Sequence, residues 1–195
     1  MKALLWLALA AGILLGCGRQ AELQFTGTDI TGAAFGRQFT LTDHNGQPRT
    51  LADFKGKAVA IFFGYTHCPD VCPTTLTDLK AAMQLLGPEL AGKVQVLFVT
   101  VDPERDTPEV LRQYVPYFHP SFLGLYGTPE QIAATAREFK VHYAKHTEAG
   151  ASDYLVDHTA ATYVFDPIGR IRLFWPYGHP AKDMAQDLRQ LLAAQ

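Results

Sequence analysis

Cysteine is scarce in this chain, with three in 195 residues, and that scarcity excludes a scaffold held together by several disulfides. A surplus of either charge is also missing, because 17 Lys and Arg oppose 19 Asp and Glu, for a net charge of −2. Lys and Arg form no cluster along the sequence, so nucleic-acid binding is not expected. The sequence has neither an internal repeat nor a low-complexity tract, which indicates one globular domain.

Long hydrophobic runs are lacking too. The apolar stretch near the N-terminus, residues 3–15, is shorter than the roughly 20 residues that span a bilayer. With Lys2 before it the stretch is typical of a secretory signal, and the Leu-Leu-Gly-Cys at its end resembles a bacterial lipobox. We therefore predict an extracytoplasmic protein that is anchored by lipid to a bacterial membrane. The predicted divisions are a signal peptide over 1–16, lipidation at Cys17, a membrane-proximal tether over 17–30 and a domain over 31–195.

The rest of the chain predicts strands and helices that alternate around a sheet. Residues 39–42 alternate in polarity as a strand does, and a turn signal follows at 44–47. Two Thr-Pro-Glu sequences, at 107–109 and 128–130, combine a hydroxyl cap with proline and an acid in a first helical turn. The other predicted elements are strands at 58–63, 94–101, 160–165 and 170–175, and helices at 73–86 and at the C-terminus. This order predicts an α/β fold.

The most informative segment places Cys68 and Cys72 between a predicted buried strand and a predicted helix. A helix N-terminus stabilises thiolates, and cysteines four residues apart on a helix lie about 6 Å apart at their Cα atoms. That separation allows either a disulfide or a shared soft metal ion such as Cu(I) or zinc. The usual redox spacing has two residues between the cysteines, whereas this chain has three. Both chemistries remain open at this point.

Seven histidines compete to complete a metal site. His158 immediately precedes a predicted central strand, where it would face the end of the strand that leads to the cysteines, but an ordinary hydrogen-bonded histidine is equally plausible there. His142 and His146 have the i, i+4 spacing of a metal pair and equally that of a solvated helix end. His67 adjoins Cys68, so their side chains would point apart on a continuing strand. The remaining histidines occupy turn-like contexts without a partner motif: His44, His119 and His179.

Three motifs in order along the chain resemble the signature of the Sco/SenC family of copper chaperones. The similarity covers about residues 25–192. The motifs are Gly64–Leu76, Val101–Glu109, and Val156–Thr159 followed by Asp166–Gly169. The resemblance implies a thioredoxin-like fold, with a central mixed sheet flanked by helices and an N-terminal hairpin extension.

The same resemblance implies that copper, as Cu(I) or Cu(II), is bound by Cys68, Cys72 and His158. It further implies a role in building the copper centre of cytochrome c oxidase, commonly the Cu(A) site, with an upstream copper donor and a thiol reductant as further partners. Two thiolates and one imidazole suit Cu(I) and leave room for an incoming ligand. Oxidation of Cys68 and Cys72 to a disulfide would abolish copper loading.

The main alternative is a thiol–disulfide oxidoreductase that keeps cysteines of an oxidase subunit reduced. Thioredoxin-like oxidoreductases resemble one another in a proline that faces the dithiol just before a late strand. The corresponding stretch here, residues 156–163, contains no proline and offers His158 instead. We therefore predict a copper carrier rather than an enzyme, with reductase activity as a secondary function at most.

Overall fold

The computed structural model describes residues 23–147 and 153–194. The predicted signal peptide over 1–16 and the predicted lipidation site Cys17 lie outside these residues. Within them, no helix combines the length and the apolar character that crossing a membrane requires.

Ten strands are present in the described part of the chain. Eight of them form one mixed sheet, and β7 and β8 pair with each other in a second sheet. In chain order the strands are β1 (Thr28–Asp29), β2 (Leu41–Asp43), β3 (Pro48–Arg49), β4 (Ala58–Gly64), β5 (Val94–Thr100), β6 (Leu123–Tyr126), β7 (Tyr143–His146), β8 (Leu155–His158), β9 (Ala161–Phe165) and β10 (Ile171–Pro176). The order across the main sheet is β1-β10-β9-β4-β5-β6-β2-β3. Strands β4, β5 and β6 are parallel, and the other pairings are antiparallel.

The helices begin where the local sequence provides caps. The hydroxyls of Thr107 and Thr128 accept hydrogen bonds from the amides of Val110 and Gln131, which confirms both predicted starts. A short 3-10 helix covers Leu51–Phe54. The α-helices are α1 (Val71–Leu86), α2 (Pro88–Ala91), α3 (Pro108–Phe118), α4 (Pro129–Glu138) and α5 (Ala181–Ala193).

Helices cover both faces of the main sheet. On one face, Phe98 of β5 contacts Tyr114 of α3, with ring centroids 5.8 Å apart, and also contacts Phe62 of β4 at 6.1 Å. Phe63, the next residue along β4, points to the opposite face and packs at 5.3 Å against Phe139, directly after α4. The predicted α/β architecture, a central mixed sheet flanked by helices, is therefore confirmed.

The hairpin of β2 and β3 is the predicted N-terminal extension, and β2 joins it to β6 of the main sheet. The buried Asp43 carboxylate organises its turn by accepting the amide hydrogens of Asn45 and Gln47 and the Nε hydrogen of Arg49. Burial acts to raise the pKa of Asp43, but these hydrogen bonds outweigh it and lower the pKa below its ordinary value. Charge-assisted hydrogen bonds thus hold the extension in shape.

The described part of the predicted tether packs on the domain. The amides of Thr26 and Gly27 donate to the two oxygens of the Asp187 carboxylate, at 2.7 and 2.9 Å. The indole of Trp175 donates to the same carboxylate at 2.9 Å, and β1 pairs with β10. Because Asp187 lies on α5 and is fully buried, these bonds make the N-terminal segment part of the folded domain.

One predicted helix start is wrong. Helix α1 begins at Val71, so Pro73 is its third residue rather than its first, and Cys72 lies within its first turn. Helix α4 ends at Glu138, and Lys140 has a positive φ of 54°, which turns the chain out of the helix. His142 and His146 therefore lie on an extended segment and share no helix face.

Candidate metal centre

Three side chains from distant parts of the sequence meet at the end of β4. Cys68 lies in the loop between β4 and α1, Cys72 in the first turn of α1, and His158 at the end of β8. One ligand atom from each residue lies within 4.8 Å of the other two. Among the described residues, no other group of three or more His, Cys, Asp or Glu side chains meets the same distance condition.

The two cysteines are free, with no disulfide between them. The Cys72 amide, at the start of α1, donates to Cys68 Sγ at 3.4 Å. A hydrogen bond from the Cys72 thiol, reinforced by His158, lowers the pKa of Cys68 to about 3 against the opposing effect of burial. The same hydrogen bond and burial raise the pKa of Cys72. Cys68 is therefore the thiolate of the pair, and Cys72 is the buried thiol that a metal must deprotonate.

The imidazole of His158 is oriented toward the thiols. Its Nε2 lies 3.4 Å from Cys72 Sγ, and its Nδ1 lies 3.2 Å from the Thr159 carbonyl oxygen. A carbonyl oxygen only accepts, so Nδ1 is the donor in this contact, and Nε2 is the ring nitrogen that faces the thiols. Phe62 and Tyr65 hold the ring edge-on, each with a centroid separation of 6.0 Å. These contacts orient the imidazole so that Nε2 is the nitrogen available to a metal.

A buried carboxylate supports the approach to Cys68. Asp106 accepts hydrogen bonds from the amide and hydroxyl of Thr66 and from the hydroxyl of Thr100. Burial raises the pKa of Asp106, and the bonds from Thr66 and Thr100 oppose that rise. The Asp106 carboxylate therefore ties the chain two residues before Cys68 to the end of β5.

The other histidines lie outside the cluster. His67 is half exposed, and its Nδ1 lies 3.1 Å from Thr66 Oγ1. His146 lies 3.1 Å from an Asp157 oxygen. His44 is buried, with its Nδ1 accepting the Gly124 amide. Neither the imidazole of His67 nor that of His146 joins the two cysteines.

The sequence analysis missed the supporting residues around the three ligands. Tyr65 carries no local sign that it packs on a histidine 93 residues later. Asp106 is buried under the cysteine loop because β4 and β5 are adjacent, which the linear sequence does not show. The one available signal was the occurrence of Asp106 directly before a capped helix start.

The donor set fits a soft metal ion. A metal with bonds of about 2.3 Å to sulfur holds two ligands no more than about 4.6 Å apart, so small side-chain rotations complete the geometry. Two sulfurs and one imidazole suit copper, and the absence of carboxylate oxygens from the set disfavours Mg²⁺ and Ca²⁺. The cluster therefore fits copper binding.

Comparison with known proteins gives a match to the SCO1/SenC family model over residues 27–193. The chain is 41% identical over 165 residues to the mitochondrial protein SCO2 homolog of mouse, covering 83% of this chain and 64% of that protein. It is 39% identical over 191 residues to the mitochondrial SCO2 homolog of cattle, covering 97% of this chain and 70% of that protein. The chain thus spans slightly less than two thirds of the mouse relative.

Solved structures agree with this match. The copper-bound ScoI of Bradyrhizobium japonicum superimposes with a TM-score of 0.73 at 41% identity, covering 80% of this chain and 98% of that one. The apo Sco1 of Thermus thermophilus gives a TM-score of 0.75 at 44% identity, covering 87% of this chain and 98% of that one. The similarity confirms the predicted thioredoxin-like fold.

One prediction is corrected by the comparisons. A lipid-anchored, extracytoplasmic location on a bacterial membrane was expected from the N-terminal pattern, and that prediction is wrong: the mouse and cattle relatives, and those of human and yeast, are named as mitochondrial proteins. A short apolar run before a cysteine is a weak pattern, because many targeting segments share its composition.

Proposed function

The chain belongs to the SCO1/SenC family, and we propose that it binds one copper ion through Cys68, Cys72 and His158 and delivers it to cytochrome c oxidase. The observation that carries the proposal is the convergence of one imidazole and two thiol side chains, from β8 and from the β4–α1 junction, within 4.8 Å. The copper-bound Bradyrhizobium structure supports copper as the cargo.

The site suits transfer better than permanent storage. Three ligands leave a copper ion open to a fourth, so a recipient can bind the ion before this chain releases it. Cys68 is only half buried and is the thiolate of the pair, so it is the ligand that a recipient reaches first. We propose the Cu(A) site of the oxidase as the recipient, with a separate copper donor upstream.

Oxidation is the proposed control on loading. A disulfide between Cys68 and Cys72 removes both thiolates from the donor set, and one imidazole alone holds copper weakly. A thiol reductant is therefore a required partner, because only the dithiol form is competent to bind. Thiol ligands must also lose their protons, so copper affinity falls as the pH falls.

The proposal is tested by anaerobic copper titration of the reduced protein. We expect one copper per wild-type chain. His158→Ala should lower the copper affinity by about 100-fold, because loss of a residue that only hydrogen-bonds a metal ligand already costs up to about that much. His67→Ala is the matched control, since that histidine adjoins Cys68 but lies outside the cluster, and it should bind as wild type does. Equal affinity of wild type and His158→Ala would contradict the proposal.

A second candidate function is thiol–disulfide exchange. The lowered pKa of Cys68, which hydrogen bonding from Cys72 brings to about 3, makes it an attacking thiolate at neutral pH, and Cys72 lies beside it as the resolving thiol. The test is reduction of an oxidised peptide from the Cu(A) subunit with metal excluded. Efficient turnover together with weak copper binding would favour this candidate, whereas tight copper binding without turnover would exclude it.

A further inference from the structure

His158 is carried by a hairpin that lies outside the main sheet. Strands β7 and β8 pair with each other, with Tyr143 opposite His158. The thiols, in contrast, follow directly from β4, the strand between β9 and β5 in the main sheet. The position of His158 therefore depends on the chain connection into β9, which begins at Ala161, and on what fastens β8 to the rest of the domain.

Arg105 makes several of the contacts that fasten the hairpin. Its Nη1 donates to the Tyr154 carbonyl at 2.9 Å and to the Asp153 carboxylate at 3.0 Å. Its guanidinium lies 3.7 Å from the centroid of the Tyr154 ring, a stacked cation–π contact. Its Nε donates to Asp102, which is fully buried in the loop after β5. One side chain, 15% exposed, thus joins the start of β8 to that loop.

Other contacts join the same two segments. The Tyr154 hydroxyl donates to the second Asp102 oxygen at 2.8 Å. Lys145 of β7 forms an ion pair with Glu104 at 2.7 Å, but both side chains are largely exposed, so this pair contributes little. Arg105 and Tyr154 therefore provide most of the polar contacts between these segments, around the buried Asp102 carboxylate, while Val156 of β8 packs in the hydrophobic core.

We propose that Arg105 is a positioning residue for the metal centre, and that it acts by holding β8 so that the His158 imidazole faces Cys72. The inference rests on the proposed function for its consequence in copper binding. A second line of contacts leads to the same ring: the Arg105 guanidinium lies 5.7 Å from the centroid of Tyr65, whose ring packs edge-on against His158.

Lysine cannot replace arginine in this role. The planar guanidinium stacks on Tyr154 while its separate N–H groups reach Asp102 and the Tyr154 carbonyl. An ammonium group carries its three donors on one nitrogen and has no planar face to stack. Arg105→Lys keeps the charge and much of the volume but loses the simultaneous contacts. It therefore separates positioning from simple charge and is less disruptive than Arg105→Ala.

The first arm of the test is a double-mutant cycle on copper affinity. In the wild-type background, we expect Arg105→Lys to weaken copper binding by about tenfold, the lower end of the effect found for residues that hold metal ligands in place. In the His158→Ala background, Arg105→Lys should have no effect on copper binding. The control is Arg170→Lys, because Arg170 forms a similar Nε–carboxylate pair with Asp166, at 2.8 Å, in the β9–β10 turn; it should bind as wild type does. An equal loss in both backgrounds would overturn the proposal.

The second arm uses the metal-free protein, so it does not depend on copper binding. We expect Arg105→Lys to accelerate amide hydrogen exchange at residues 155–158 while β4 and β5 keep wild-type rates. Tyr154→Leu, which removes the stacking surface, should give the same local change and serves if an Arg105 variant fails to fold. Unchanged exchange in β8 would overturn the fastening role. Absence of copper binding in the wild type would overturn the proposed function alone.

Discussion

The two halves of the metal centre are positioned in different ways. Cys68 and Cys72 belong to a continuous path from β4 into α1, both of which are fixed by backbone hydrogen bonds and by the core. His158 ends a strand of a small hairpin that is held to the domain by the Arg105 and Tyr154 side chains and by the buried Val156. Backbone placement is tolerant of surface substitution, whereas placement by a few side chains is not.

This difference suits a centre that must both hold and release an ion. The dithiol half stays in place because moving it requires breaking the core. The imidazole half is held by fewer contacts, among them the side-chain contacts around Asp102. Substitutions in the two halves should therefore differ in size: those near the thiols cost more stability, and those in the hairpin cost less stability while still weakening binding.

The largest effect is expected from Gly64→Ala, which breaks the dithiol half. A Cβ atom at Gly64 would lie 2.8 Å from Cys72 Sγ and 2.9 Å from a Phe98 ring carbon, both too close. We expect a loss of about 1–3 kcal/mol in the free energy of unfolding, as for other overpacked cores, together with weaker copper binding. Urea unfolding and copper titration measure the two.

Gly92→Ala is the control for this variant, because a Cβ there meets only carbonyl oxygens at 3.4 and 3.5 Å. It should leave both the free energy of unfolding and the copper affinity unchanged. If Gly64→Ala unfolded with the same free energy as wild type, the region around Cys72 would be able to accommodate the extra methyl group, and the dithiol half would not be rigid.

A smaller, pH-dependent effect is expected from Asp106→Asn. Burial raises the folded-state pKa of Asp106 above its unfolded value, so its contribution to stability is present at acid pH and is lost as the pH rises through the folded-state pKa. The stability of wild type relative to Asp106→Asn should therefore fall as the pH rises above about 4, the ordinary Asp pKa.

Urea unfolding of both proteins across that pH range makes the measurement, with Asp70→Asn as the control for loss of an exposed carboxylate in the same loop region. A constant difference between wild type and Asp106→Asn at every pH would show that the buried carboxylate does not titrate as the structure indicates.

The smallest effect is expected from Tyr154→Phe, which loosens the hairpin half. It removes the hydrogen bond to Asp102 and keeps the ring beneath Arg105. We expect a loss of about 0.5–1.5 kcal/mol in stability and a smaller drop in copper affinity than Arg105→Lys causes. Tyr117→Phe, whose side chain is 82% exposed, is the matched control. If Tyr154→Phe lowered the copper affinity more than Arg105→Lys does, the Tyr154 hydroxyl rather than Arg105 would be the main contact that holds the hairpin.

Elements with a local signal were predictable from the sequence. The apolar run at 58–63 matches β4, and the hydroxyl caps at Thr107 and Thr128 start α3 and α4 as expected. The paired cysteines stood out by spacing alone. His158 did not, because its partner Cys72 lies 86 residues away, and the family resemblance rather than the local pattern indicated it.

The rest depended on contacts that the sequence pattern does not show. The N-terminal segment reads as a polar tether, but it is held by Asp187, whose position among the apolar residues of α5 is the one sign that a buried partner was needed. The extended β7 was missed because it forms only by pairing with β8. In the sequence, Arg105 is one charged residue in an acidic loop, and its role became visible only from its contact with Tyr154, 49 residues later.

The central claim is that one imidazole and two thiolates bind the same copper ion. X-ray absorption at the copper edge of the reduced, loaded protein tests it most directly, with His158→Ala beside the wild type. We expect two sulfur ligands and one nitrogen ligand on the copper in the wild type. In His158→Ala the nitrogen ligand should be lost and both sulfur ligands kept. A spectrum with sulfur ligands alone, or a nitrogen ligand that persists in His158→Ala, would contradict it.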